Sequence, residues 1–187
     1  MRKLNVLIVL VLLAGSTFAQ TTWTVDKAHS KLGFTVTHLM VSEVDGTFNS
    51  FDAKITSTKD DFSDATVELT ADVNTVDTNN ERRDNHLKSP DFFDAAQFGT
   101  LTFKSTAFKK TGEKTYKVTG DLTMHGVTKS VDLDATLVGT TASRDGKKIS
   151  GWKVTGTINR IDFKVGTSGP TVSDEVVLTA KAEFKSN

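Results

Sequence analysis

Apolar and polar residues alternate along most of the chain after residue 30, which is the pattern of β-strands with one buried face. Leu32, Phe34 and Val36 alternate with polar or small residues, and the last such series runs from Val176 to Phe184. Regularly spaced strands joined by short turns predict one antiparallel all-β domain, a sandwich or a barrel. The alternation predicts about eight strands, at residues 30–38, 43–58 (bent near Ser50), 65–73, 99–109, 114–124, 127–140, 147–162 and 174–185.

Two short turns, His125-Gly126 and Asp145-Gly146, predict how the middle strands pair. We interpret both as two-residue hairpin loops, and Asp-Gly is a strong signal for a type I′ turn. The second loop would then place Ala135 opposite Gly156. Both registers put the apolar residues on the same face. A slip of one residue would turn a whole strand over, so this agreement supports the strand assignment.

The predicted strands exceed the usual length of about five or six residues. Long antiparallel strands with one apolar face can close into an eight-stranded barrel, whose interior is filled by side chains or holds one small ligand. Small residues at interior positions fit either a tapered cavity or ordinary packing of large against small side chains. These small residues are Gly120, Ala135, Gly156, Ala180 and Ala182.

Residues 77–94 interrupt the series of strands. Thr78 and Glu81 have the spacing of a capping box, and Ser89-Pro90 is a stop signal, so we predict a short helix near residues 78–88. This segment is almost wholly polar and has too thin an apolar stripe to build a core. We expect the helix to flank the barrel and the aromatic pair after it to return to the core.

The N-terminal residues have the features of a secretory signal peptide. Arg2 and Lys3 precede an apolar run from Val6 to Ala14, and small residues lead to Ala19. The run is shorter than the roughly 18 apolar residues that span a bilayer. We therefore predict a signal peptide at 1–19, a mature domain at 20–187, and no stable membrane insertion after cleavage.

Composition narrows the classes of partner. Without Arg2 and Lys3, the chain has two more acidic than basic residues. A nucleic-acid partner is not expected, because phosphate neutralisation requires a basic surface. The absence of cysteine excludes disulfides and thiolate chemistry. The four histidines lack the spacing of a metal site, and we find no nucleophile motif.

Three polar side chains interrupt the apolar face near the turn at His125. The predicted register places Lys129, Arg160 and Asp162 on that face. An unpaired buried cation is costly, so these groups must pair, contact water or meet a ligand. A salt bridge at the barrel rim and a polar mouth for a ligand head group both fit, and Arg160 is a candidate ligand contact.

Four separated segments carry a resemblance to a known family. They read WTVDKAHSKLGFTVTHLM, RRDNHLKSPDFFD, GDLTMHGVTK and NRIDF, in this order, between Trp23 and Phe184. Together they resemble the YceI family of polyisoprenoid-binding proteins. Lys164 stands where the family pattern often has glycine, which bears on the conformation of that loop. The residues that match the family pattern are Asp26, His29, Arg83, Asp84, His86, Ser89, Asp91, Phe92 and Phe93.

The resemblance implies an extended, eight-stranded, lipocalin-like barrel that encloses a long-chain isoprenoid in an apolar tunnel. It implies a periplasmic protein that binds and transports or stores a polyprenyl lipid or quinone precursor, without catalytic residues or a cofactor. A homodimer is the protein partner that the sequence leaves open. Inward-facing residues are the predicted ligand contacts: Phe34, Val36, Val67, Leu69, Phe103, Val118, Leu122, Met124, Leu133, Leu137, Trp152, Val154, Ile158 and Arg160.

Two other functions fit the same barrel. A hydrolase or isomerase of a hydrophobic substrate would need His29, His86 or His125 beside a carboxylate inside the pocket. A structural or stress-response interaction protein would have a solid barrel instead of a cavity.

Overall fold

A computed structural model describes residues 20–187 of the chain, so the predicted signal peptide lies outside the described residues. No helix in the described range is long and apolar enough to cross a membrane. Within residues 20–187, two 3₁₀ turns, Val73–Thr75 and Arg160–Phe163, accompany one α-helix and ten strands. The elements are β1 Thr21–His38, β2 Ser42–Phe48, β3 Phe51–Ser57, β4 Thr66–Asp72, β5 Val76–Asp77, α1 Glu81–Lys88, β6 Thr100–Lys110, β7 Thr115–Met124, β8 Val127–Ala142, β9 Lys148–Asn159 and β10 Val172–Ser186.

The strands close into an antiparallel barrel of eight, as the sequence predicts. The order around the ring is β1, β3, β4, β6, β7, β8, β9 and β10, and β10 pairs again with β1. β1 is shared along its length, because its first part pairs with β3 and its second part with β2. The short β5 extends the sheet beyond β2. The predicted strand at 43–58 is thus broken into β2 and β3 at Asn49 and Ser50, where the bend is predicted.

The two predicted hairpin registers have different outcomes. The β7–β8 pairing has Met124 opposite Val127 and Tyr116 opposite Ala135, which confirms the His125-Gly126 turn. The Asp145-Gly146 prediction is wrong for two reasons. Residues 143–147 form a longer turn, and β8 has a bulge at Val138, before that turn. Ala135 therefore pairs with Val154 instead of Gly156. The difference is two residues, an even number, so the inward face is still the predicted one.

Two predicted strand ends are also wrong. β1 begins at Thr21 instead of residue 30, because its first residues pair with β3 and with the end of β10. β9 ends at Asn159, whose side-chain oxygen accepts a hydrogen bond from the Ile161 N–H (2.9 Å) and caps a 3₁₀ turn. Lys164 follows that turn with a φ of 59°, a left-handed conformation that glycine adopts more readily.

The helix is shorter than predicted at its start. Asn80, not Thr78, is the N-cap, and its side chain accepts a hydrogen bond from the Arg83 N–H (3.1 Å). The helix ends at Lys88, and Ser89 before Pro90 is extended, as predicted. No helix residue is fully buried, which fits its almost wholly polar sequence.

An aromatic plug closes the barrel at the end away from the helix. The loop between β3 and β4 turns Phe62 inward, where its ring lies 5.2 Å from Trp23 and 5.1 Å from Trp152. Phe62 is 1% exposed and has a φ of 55°, an unfavourable conformation that its burial offsets. The Tyr116 hydroxyl donates to the Asp61 carbonyl oxygen (2.8 Å) and fixes the loop across the barrel floor.

Glycines on the wall allow bulky side chains to lie flat against it. The Phe103 ring covers Gly120, the Phe34 ring covers Gly46, and Leu133 covers Gly156. A Cβ atom at any of these glycines would collide with its neighbour. Of the small interior residues in the sequence, Gly120 and Gly156 therefore serve close packing.

A polar cluster holds a break in the β1–β10 ladder on the outside of the barrel. Residues 27–30 bulge out opposite Ala182, and the Ser30 hydroxyl accepts a hydrogen bond from the Glu183 N–H (3.0 Å). His29 Nδ1 lies 2.9 Å from Asp26 Oδ2 and 3.9 Å from Glu183 Oε2. The ligand atoms of Asp26, His29 and Glu183 lie within 4.8 Å of one another, a spacing that could hold a cation. The hydrogen bond of His29 with Asp26 and its ion pair with Glu183 explain this spacing without one.

The two aromatic residues after the helix have separate environments. Phe93 is buried and its ring packs 5.8 Å from Phe48 in the core. Phe92 is only partly buried and packs against the His86 ring (5.0 Å) and the backbone at Gly166. The structure therefore confirms that this segment returns to the core, mainly through Phe93.

Replacing Phe93 with alanine should lower the free energy of unfolding by about 3 kcal/mol, because the change leaves a cavity in the core. Phe92→Ala is the matched control and should cost less than half as much, since Phe92 is already partly exposed. Urea denaturation of both variants measures the difference. Equal losses would contradict the assignment of Phe93 as the anchor.

The hydrogen bond with Asp26, together with the charges of Asp26 and Glu183, raises the pKa of His29 above its ordinary value of 6.5. The charged imidazole therefore stabilises the fold fully below pH 6.5, and this contribution is lost as the pH rises through the raised pKa. NMR titration should give His29 a midpoint above 6.5, and Asp26→Asn should bring it back towards that value. The same midpoint in both proteins would show that the pair does not form.

Candidate ligand-binding cavity

The barrel encloses two adjoining chambers. The upper chamber, between the helix side and the middle of the barrel, has a volume of about 890 Å³. The lower chamber, above the aromatic plug, has a volume of about 150 Å³. Five residues line both chambers, so the two chambers adjoin each other inside the barrel; they are Phe48, Leu101, Met124, Ile158 and Leu178.

The wall of the lower chamber is almost wholly apolar. Val67, Leu69, Leu133 and Val154 face inward, yet each is only partly buried. Inward side chains in a filled core would be fully covered by their neighbours. Their residual exposure is therefore to the cavity, and the interior is not the solid barrel that the third sequence hypothesis requires.

The mouth of the upper chamber is polar on one side. Helix α1 and the loop after β9 supply most of its polar groups, while β1 and β2 supply apolar ones. Cations and neutral hydrogen-bonding groups outnumber carboxylates here. The polar residues that line the upper chamber are His38, Thr78, Arg83, His86, Asp91, Arg160, Lys164, Thr167, Ser168 and Thr171.

Hydrogen bonds to Thr78 fasten the start of the helix at this mouth. Asp84 Oδ1 accepts from the Thr78 N–H (2.8 Å) and from the Thr78 hydroxyl (2.5 Å). Arg83 Nε donates to Thr78 Oγ1 and Arg83 Nη2 donates to the Thr78 carbonyl, each at 2.8 Å. Thr78 is buried, so this network satisfies polar groups that would otherwise be costly.

Similar local bonds hold the end of the helix. His86 Nε2 donates to Asp91 Oδ2 (3.2 Å), and the Ser89 hydroxyl donates to the His86 carbonyl (2.8 Å). The His86 and Asp91 side chains are 57% and 76% exposed. These contacts connect the last helical turn to the turn that follows it.

Arg160 is a buried anchor for the loop after β9. Its guanidinium donates to the carbonyl oxygens of Val165 (2.8 Å), Ser173 (2.9 Å), Thr167 (3.0 Å) and Val172 (3.2 Å). Asp174 Oδ1 lies 3.3 Å from Nη2. Arg160 borders the upper chamber as predicted, but these partners engage its donors and leave little for a ligand head group.

The predicted group of Lys129, Arg160 and Asp162 is not brought together at the cavity. Lys129 Nζ and Asp162 Oδ1 form an ion pair at 3.6 Å with both side chains about half exposed. Neither residue lines a chamber. The ion pair is the salt bridge at the rim that the sequence leaves open as one of two alternatives. The three residues do not form a shared polar mouth, because β9 gives way to the 3₁₀ turn and Arg160 is buried while Asp162 is exposed.

The apolar site predictions largely fall on the cavity. Phe34 and Val36 line the upper chamber, and Met124 and Ile158 line both. Leu137 lines neither chamber and packs, partly buried, against the core beside the bulge at Val138. Val67, Leu69, Phe103, Val118, Leu122, Leu133, Trp152 and Val154 line the lower chamber.

Several cavity residues are absent from that prediction. Val176, Leu178, Ala180 and Ala182 belong to the last alternating series, which carries the necessary signal. Leu87 is the one apolar residue of the helix and faces the upper chamber. The loop residues from Val165 to Thr171 have no periodicity from which their position could be read.

Arg160→Ala should cost about 3 kcal/mol or more of unfolding free energy, because it leaves buried carbonyl groups and Asp174 without their donor. Lys129→Ala, at the exposed pair, should cost less than about 1 kcal/mol. Urea denaturation measures both. A stability loss for Arg160→Ala no larger than that for Lys129→Ala would refute the anchor role.

Comparison with known proteins agrees with this geometry. The family model described as "YceI-like domain" matches residues 23–184. The UPF0312 protein SA2479 of Staphylococcus aureus (strain N315) is 38% identical over 171 residues, which cover 88% of this chain and 97% of that protein.

Solved structures show the same fold. The Campylobacter jejuni YCEI protein has a TM-score of 0.73 and 37% identity, covering 86% of this chain and 95% of that one. BcnA of Burkholderia cenocepacia has a TM-score of 0.76 and 26% identity, covering 85% and 98%. A polyisoprenoid binding domain from Saccharophagus degradans has a TM-score of 0.64 at 15% identity, covering 88% and 98%. The family match, the relatives and the fold together show that the chain belongs to the YceI-like domain family.

Proposed function

We propose that this protein binds a long-chain isoprenoid lipid, with the chain in the two adjoining chambers and the head group at the mouth. The observation that carries the proposal is a pair of adjoining chambers, the upper one with a polar mouth and the lower one almost wholly apolar and closed at the floor by the Phe62 plug. A space with one polar end and one blind apolar end suits a ligand with a polar head and a long apolar chain.

The cavity volumes agree with such a ligand. The upper chamber, at about 890 Å³, lies within the roughly 300–1,000 Å³ of small-molecule sites. An apolar cavity of about 150 Å³ stays dry and accepts a benzene-sized molecule. The lower chamber therefore has room for about one five-carbon unit. At about 0.8 kcal/mol per methylene-sized group, even a few units would offset the cost of association.

The polar groups at the mouth suggest how the head group is held. Lys164 brings an ammonium group to the upper chamber and His38 brings a ring. Arg83 adds its Nη1, since its Nε and Nη2 donate to Thr78. A hydroxyl, phenol or phosphate head group would find donors here. These residues take the role that the sequence assigned to Arg160.

The fold comparison supports the choice of an isoprenoid as the ligand. The Saccharophagus degradans domain is described as polyisoprenoid binding, and its likeness to this chain is in fold. We extend that description to this chain because the cavity here has the dimensions and the apolar wall that an isoprenoid requires.

Binding without chemistry fits the site better than catalysis does. Among the described residues that border the cavity, His86 and Asp91 form the one histidine–carboxylate pair. Both side chains are largely exposed, and their contacts fasten the end of the helix. His29 lies on the outside of the barrel, and His125 lines neither chamber. Carriage or storage of the lipid in the periplasm, as the signal-like N-terminus predicts, is the role we propose.

Filling the lower chamber should shorten the preferred ligand. Ala182 faces that chamber and is partly buried. Ala182→Phe should weaken the affinity for long polyprenols by about tenfold or more and shift the optimum to shorter chains. Binding of a graded series of fluorescent polyprenols measures this effect.

Lys181→Phe is the matched control, because Lys181 is the neighbouring residue and points outward. Its chain-length profile should equal that of the unmodified protein. Failure of the unmodified protein to bind any polyprenol would refute the proposed function. An unchanged profile in a folded Ala182→Phe protein would refute the position of the chain.

A further inference from the structure

The turn between β1 and β2 exposes three consecutive apolar side chains. Leu39, Met40 and Val41 are 53%, 89% and 83% exposed. The other large hydrophobic side chains exposed in the described range, Val138 and Val177, stand singly on the barrel wall. Single exposed apolar residues are ordinary on a protein surface, whereas a cluster at a projecting tip indicates contact with something apolar.

The backbone of this turn is also unfavourable for the residues that occupy it. Leu39 and Met40 have φ angles of 50° and 58°, and the Val41 N–H donates to the His38 carbonyl (3.1 Å). Turns with two successive positive φ angles favour asparagine and glycine. Bulky residues in such a conformation at an exposed position do not stabilise the fold. They therefore indicate a contact with another molecule.

Other turns of the same barrel follow the ordinary rule. The β7–β8 turn is His125-Gly126, with glycine at a φ of 71° packed on Phe98. At the floor end, residues 111–114 read Thr-Gly-Glu-Lys and residues 143–147 read Ser-Arg-Asp-Gly-Lys. Among these hairpin turns, the apolar one is at the open end of the barrel.

The apolar tip stands at the rim of the cavity mouth. The Leu39 N–H donates to the Thr171 carbonyl (2.9 Å), which joins the tip to the loop after β9. His38, Val44, Thr171 and Val172, all beside the tip, line the upper chamber. A surface that contacts the tip is therefore brought against the entrance to the cavity.

We propose that Leu39, Met40 and Val41 dock the mouth onto a lipid bilayer, where the ligand enters or leaves without crossing water. The proposal rests on the proposed function, because a long isoprenoid is nearly insoluble in water and its source and destination are bilayers. The tip inserts its three side chains among the lipid headgroups and the adjoining acyl chains, as an interfacial anchor does.

Size and charge favour a bilayer over a protein partner. Three side chains on one turn form a patch far smaller than the roughly 800 Å² per partner of a stable protein interface. The tip itself carries no charge, and the nearest charged groups are of both signs: Glu43 and Asp45 follow the tip on β2, and Arg83 and Lys164 border the mouth. Anionic lipids would therefore add little, and the contact should form on an uncharged, zwitterionic surface.

The test uses a variant that removes the apolar groups and keeps the turn. Leu39→Asn, Met40→Gly and Val41→Thr together introduce a sequence that this turn prefers, so folding is preserved. Flotation with phosphatidylcholine vesicles should show association of the unmodified protein and a loss of about tenfold or more in the triple variant. Transfer of a fluorescent polyprenol from vesicles to the protein should slow by a similar factor.

Val138→Thr with Val177→Thr is the control for exposed apolar groups elsewhere, and it should leave flotation unchanged. Equilibrium binding of the same polyprenol delivered from cyclodextrin should be equal in the unmodified protein and the triple variant. Loss of that binding in every protein would refute the proposed function, while flotation still decides the docking. Three results would overturn the docking proposal. They are no association of the unmodified protein with vesicles, equal flotation of the triple variant and the unmodified protein, or a change in self-association alone on substitution of the tip.

Discussion

The pairing of β1 with β10 closes the barrel, and the cavity depends on that closure. β1 contacts β10 along nearly its whole length, from Trp23 opposite Ser186 to His38 opposite Val172. The ladder tolerates one large bulge, at residues 27–30, where Ser30 and the Asp26–His29 pair bridge the gap. Closure leaves no free edge in the ring, and it turns one face of every strand towards a common interior.

A closed ring of eight strands can be filled by its own side chains, and the lower end of this barrel is filled. Trp23, Phe62 and Trp152 pack against one another there, and the loop that carries Phe62 seals the end. Towards the other end the wall has alanines on β10 and side chains such as Phe103 that lie flat over glycine. The space that remains consists of the two adjoining chambers, and α1 and the loop after β9 border the mouth of the upper one.

The sequence predicts the inward face of the wall well, because alternation reports a face whatever the register. The β8–β9 pairing differs from the prediction by two residues, and the inward face is unchanged. The prediction of strand ends fails where a local capping side chain overrides the alternation. The Asn159 side chain caps the 3₁₀ turn and ends β9, and Arg160 therefore anchors the loop that follows. Asn80 caps the helix in place of Thr78 because Thr78 is engaged by Asp84 and Arg83.

Loop residues are the other part that sequence reasoning misses. Phe62 lies in a segment without periodicity, so nothing in the sequence indicates that its ring closes the barrel floor. The mouth is similar, since Arg83 and Lys164 belong to two distant segments and both border the upper chamber only in the folded protein. Their positions depend on tertiary contacts, whereas the strand pattern is local.

The central claim is that the cavity holds an isoprenoid lipid, and native mass spectrometry of the protein purified from its producing cells tests it most directly. The account predicts a mass increment of one intact isoprenoid, released on denaturation and identified by fragmentation. Repeated detection of the unliganded mass alone, or of a chemically converted product, would contradict it.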